Sequence, residues 1–109
     1  MNKEKPKYTV RILSQFEFDI YDDNIDVEVR FESGERYIPT FFTVRNIQSL
    51  MDKNKVTGEN SNGKYIWAAD MVIVETLTDD VIRATIDDLI ETGDFFSAFA
   101  GPYKDEDGG

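Results

Sequence analysis

Histidine and cysteine, the residues behind most acid–base, nucleophilic and soft-metal chemistry, are both absent from the 109-residue sequence. Their absence removes thiolate catalysis, zinc–thiolate sites and disulfides, and leaves Asp, Glu, Lys, Tyr and Ser as the only candidates for acid–base work. No nucleophile elbow, phosphate-cradling glycine loop or dinucleotide fingerprint occurs. The expectation is therefore a chain with no catalytic residues, no metal ligands and no cofactor. Asp22-x-Asn24-x-Asp26 imitates the start of a calcium loop. However, the glycine needed for its sharp turn is replaced by Val27, and the bidentate glutamate that closes such a loop is replaced by Ser33.

Acidic side chains dominate what remains. Twenty-two acids against twelve bases give a formal net charge of −10. Such a chain is repelled by nucleic acid and anionic membranes and attracted to basic proteins and cations. Asp70 interrupts an apolar run, and such a carboxylate is either a buried functional group or a structural one at a bulge or beside an arginine, with Arg11 and Arg36 as candidates. Asp80, Asp87, Glu91 and Asp94 are spaced to share one side of a helix.

Alternating side chains fix the elements that must carry these acids. Tyr8, Val10, Ile12, Phe16, Phe18 and Ile20 share one parity, against Arg11, Glu17 and Asp19 on the other, so a strand is expected from Tyr8, continuous or bent near Ser14 and Gln15. A second strand alternates Ile25, Val27, Val29 and Phe31 with Asp26, Glu28, Arg30 and Glu32. Ser33-Gly34 reads as a two-residue hairpin loop leading to a third strand over about 35–42. Pro39, which has no N–H, marks that strand as an edge or a bulge. Thr43 caps a helix over 44–53, the polar stretch 57–63 reads as a flexible loop, and 65–75 reads as a strand buried on both faces. Thr78 caps a helix over 79–92 that ends at Gly93, and Phe95, Phe96 and Phe99 fall in one further turn.

The expected fold is α+β: a four-stranded, mainly antiparallel sheet in the order β-β-β-α-β-α, with helices on one face. Residues 8–101 form one domain between a flexible arm, 1–7, and an acidic tail, 102–109. The N-terminal stretch has no apolar core of a signal peptide, and no run approaches the roughly 18 apolar residues of a membrane span. The chain is thus expected to be cytoplasmic.

The two-residue loop sets Val29 opposite Ile38, Glu28 opposite Pro39 and Asp26 opposite Phe41. Matching apolar parity on the other side sets Phe18 against Val27 and Ile20 against Ile25. Asp19 then faces Asp26, and Glu17 faces Glu28. Like charges placed opposite one another weaken a sheet by some tenths of a kcal/mol each. Glu17, Asp19, Asp26 and Glu28, with Tyr37 and Phe41 beside them, are the expected partner-binding residues of an acidic, aromatic-anchored face suited to a basic protein. A divalent-cation site on the same carboxylates and self-association through an edge strand are the alternatives. The chain itself would be a monomer or homodimer.

The segments RYIPTFFTVRNIQSLM, GKYIWAADMVIVETL, VIRATIDDLI and FFSAF, taken over about residues 8–100, resemble small acidic bacterial immunity proteins that neutralise toxin partners. The likeness lies in size, charge and α+β order. It implies a cytoplasmic, non-catalytic binder that occludes a basic toxin, often a nuclease, and it transfers no site residue.

Overall fold

The structure, a computed structural model, describes residues 6–14 and 16–103. Most of the expected arm, Gln15 at the expected bend and the tail from residue 104 lie outside the described residues. The elements in chain order are β1 (Tyr8–Ile12), β2 (Asn24–Phe31), β3 (Arg36–Tyr37), β4 (Thr40–Thr43), α1 (Val44–Thr57), α2 (Glu59–Gly63), β5 (Met71–Val74), α3 (Asp79–Thr92) and α4 (Phe95–Ala98). The α+β class is as expected, but the sheet has five strands rather than four.

The extra strand comes from Pro39. The third strand breaks at Ile38-Pro39, where no N–H is available for the ladder, although the Pro39 carbonyl still accepts from Val27 N at 3.0 Å. Both halves, β3 and β4, run antiparallel to β2 on one side, and β1 runs antiparallel to it on the other. β5 extends the sheet parallel to β4, giving the order β1-β2-β4-β5 with β3 paired to β2.

The register differs from expectation by one residue because the hairpin loop is one residue longer. Phe31 N donates to Glu35 O at 2.8 Å and Gly34 N to Phe31 O at 2.9 Å, so the loop is Glu32-Ser33-Gly34. Gly34 supplies a φ of 95°, a left-handed conformation suited to the end of a three-residue loop. Val29 therefore pairs with Tyr37, not Ile38. A one-residue slip moves every side chain of a strand to the opposite face. Tyr37 and Phe41 consequently lie in the core.

That core fills one face of the sheet. Ile25, Val27, Val29 and Phe31 of β2 meet Ile82, Ile86 and Ile90 of α3 and Phe95 of α4. The Phe95 ring stands edge-on to Tyr37 at 5.0 Å and to Phe99 at 4.9 Å, so the FFSAF segment packs on this sheet. Thr78 caps α3 by accepting from Val81 N, and Gly93 ends it in the left-handed region. No α1 side chain joins this core.

The connection through α1 departs from expectation in two places. Residues 57–63 are not a loose loop: Asn60, Ser61 and Asn62 adopt left-handed φ values of 50°, 54° and 61°, and Gly63 closes the turn against the α1 backbone. The strand expected over 65–75 shrinks to β5, because Asp70 has a φ of 55° and breaks the extended chain just before it. β5 is an edge strand with Ile73 exposed, rather than a strand buried on both faces. Asp70 is a turn residue: its carbonyl accepts from Thr40 N and its carboxylate from Ala100 N, both at 2.9 Å.

Candidate functional site

The expected like-charge pairs across the sheet do not form. β1 occupies the position beside β2 that Phe16–Ile20 were expected to take, and Arg11, not Glu17, faces Glu28. Glu28 is buried, with its side chain only 5% exposed, beneath three guanidinium groups: Arg36 at 3.2 Å, Arg11 at 3.6 Å and Arg30 at 3.6 Å. Arg30 and Arg36 hold further interactions besides this one. A carboxylate held in this way is neutralised inside the fold and is not available to a partner. Glu28, Tyr37 and Phe41 thus do not belong to an open acidic face.

Glu17 and Asp19 are exposed on the loop that leads from β1 into β2, and Asp26 is exposed on β2 itself, in the ladder opposite Thr40. β1 ends at Ile12, with Leu13 N donating to Asp26 O at 3.0 Å as the last rung. The following segment keeps its alternation without pairing as a strand. Phe18 and Ile20 pack on the core, and Glu17, Asp19 and Tyr21 point outward. Phe16 is 81% exposed and Tyr21 55%. Residues 16–26 carry Glu17, Asp19, Asp22, Asp23 and Asp26 and no basic residue.

Side-chain caps hold this loop. Asp19 accepts from Tyr21 N at 2.8 Å, and Asp23 accepts from Asn24 N at 2.8 Å and from Asp19 N at 3.2 Å. Such bonds from short acidic side chains to nearby backbone fix a turn locally. Ile20 O accepts from Leu77 N at 2.7 Å, which ties the loop to the chain entering α3. Thr40 donates to Asp26 at 2.7 Å. The outcome is an ordered acidic loop with two exposed aromatic rings.

The second acidic group is less open. Asp87 accepts a 2.9 Å hydrogen bond from the Tyr8 hydroxyl, and Asp94 accepts from Thr92 at 3.1 Å. Burial, then the hydrogen bond to Asp87 and its negative charge, push the Tyr8 phenol up to about 12. Asp80 is exposed. Among the described residues, no three carboxylates converge so as to hold a metal ion. No helix among them is long and apolar enough to cross a membrane.

Sequence reasoning missed Phe16 and Tyr21. Phe16 shares parity with Phe18 and Ile20 and so reads as core. Tyr21 carried a usable signal: it lies on the polar parity with Glu17 and Asp19, where an aromatic has no burial reason to be. Arg11 carried another, since pairing it with Glu28 sets opposite charges together where the expected register set like ones. In comparisons with protein-family models, curated proteins and solved structures, nothing matches this chain.

Proposed function

We propose that this chain is a non-catalytic binding protein that docks a basic protein partner through the segment 16–26, the loop after β1 and the first residues of β2, in the manner of an inhibitor or immunity protein. The observation that carries the reading is the exposure of Phe16 and Tyr21 on a capped segment whose five charges are all negative. Acidic groups steer a basic partner and raise its on-rate, while aromatic rings that become buried supply most of the affinity. A loop already held in shape loses less conformational entropy on docking. Glu17, Asp19 and Asp26 are the charges offered, and Phe16 and Tyr21 the anchors. The net charge of −10 favours the same class of partner and disfavours nucleic acid.

The test is a bait experiment from native and toxin-expressing lysates, eluted by a salt gradient and read by mass spectrometry. One basic protein retained near equal stoichiometry and released by salt is expected. Phe16→Ala with Tyr21→Ala should weaken its capture by about thirtyfold or more, the loss of one hot spot of ~2 kcal/mol. A basic protein held equally well by the double variant would remove the loop from the interface. Recovery of nucleic acid alone would remove the partner class.

A further inference from the structure

We infer that the first two turns of α1 set the shape of this loop: Asn46 and Ser49 are positioning residues, and Asp22 is the clasp they hold rather than a charge offered to the partner. This rests on the loop being the docking surface. Both Asp22 carboxylate oxygens are occupied, Oδ1 by Asn46 Nδ2 at 3.1 Å and Oδ2 by Ser49 Oγ at 2.9 Å. Asn46 is 9% exposed and uses its other amide atom as well, Oδ1 accepting from Asn24 Nδ2 at 2.9 Å. One buried amide thereby ties Asp22 of the loop and Asn24 at the start of β2 to the helix.

The backbone at the same point is fastened in parallel. Thr43, fully buried, caps α1 by accepting from Asn46 N at 3.0 Å, and its hydroxyl also receives Asp23 N at 3.4 Å. Thr43 N returns a bond to Asp23 O at 3.2 Å. Residues 22, 23 and 24 are thus each bonded to the segment 43–49. Each Asp22 carboxylate oxygen spends a lone pair on α1, so the helix fixes where the carboxylate sits.

Order in the free protein and binding to a partner separate the clasp from the reading it rests on. In Asn46→Ala with Ser49→Ala, backbone order parameters of residues 19–23 should fall below about 0.6 while those of β2 and α3 hold. Ser49→Ala alone, which leaves the buried amide in place, should give a partial loss and guards against a double variant that does not fold. Asp22→Asn is isosteric and can accept from Asn46 while donating to Ser49. It should keep the loop ordered and keep capture of the basic protein recovered by the wild-type bait. A loop that stays rigid in the double variant overturns the clasp, whatever the partner does. Loss of capture in Asp22→Asn with the loop still ordered overturns its assignment as a positioning residue. A disordered loop with undiminished capture leaves the clasp standing and sinks the docking reading instead.

Discussion

Glu28 places one carboxylate beneath three guanidinium groups on the outer side of β2, and removing its charge would leave those groups facing one another. Breaking a buried ion pair typically costs 3–5 kcal/mol. Arg11 is largely exposed and reaches water, so Glu28→Gln is expected to cost about 3 kcal/mol, read as a lower urea midpoint at unchanged slope. The exposed Arg83–Asp79 pair, at 2.8 Å, offers the contrast: Asp79→Asn should change stability by less than about 1 kcal/mol. Tyr8 gives a signed pH dependence. Its phenol is raised from 10.0 to about 12 in the folded protein, first by burial and then by Asp87. The neutral phenol is therefore the form the fold favours. Its stabilising contribution is complete below pH 10 and disappears as pH rises toward 12. Denaturant midpoints measured across that window should fall more steeply in the wild type than in Tyr8→Phe.

The elements show where sequence patterns carry information and where they do not. Both long helices start at the threonines expected to cap them, because the cap is a local arrangement of side chain and backbone. α3 also ends where expected, at Gly93. Alternation marked β1 and β2, but it also marked 16–20, which forms no strand, and it did not fix the register. Two-residue and three-residue loops containing Ser33-Gly34 are both compatible with the local sequence, and they differ by one pairing step. Likewise β1 and the segment 16–20 share an apolar parity, so either could match β2. The left-handed turn at 60–62 left no pattern beyond Asn, Ser and Gly, a composition that also suits a flexible loop. Two glycines separate conformational need from packing need. At Gly34 a Cβ meets nothing within 4 Å, so Gly34→Ala should cost only the left-handed backbone term, about 1 kcal/mol. At Gly63 a Cβ would run into the Met51 carbonyl oxygen and the Lys55 backbone, and its φ is 76°. Gly63→Ala should therefore be the more damaging, by a further ~1–3 kcal/mol in the same denaturation experiment.

At the scale of the whole molecule, the charges are sorted rather than spread. The outer face of the β1–β2–β3 region gathers Arg11, Arg30 and Arg36 around Glu28, while the segment 16–26 carries five acids and no base. Composition alone indicated an acidic protein, but the location of its open acidic surface depended on the register of two hairpins. Of the residues expected at such a surface, Glu17, Asp19 and Asp26 are exposed. Tyr37 and Phe41 are turned inward by the strand pairings, and Glu28 is covered on the outer face by Arg11, Arg30 and Arg36. The measurement that tests the docking claim most directly compares two variants with the same change of charge. Phe16→Ala with Glu17→Lys alters the loop, and Asp88→Lys alters an exposed position on α3. Both are used as bait for the basic protein that the wild type retains. Docking through the loop predicts that the first variant loses the protein while the second holds it, releasing it at only slightly lower salt. Equal loss from both would mean that net charge alone governs retention, and loss from Asp88→Lys alone would place the interface on α3; either result contradicts docking through residues 16–26.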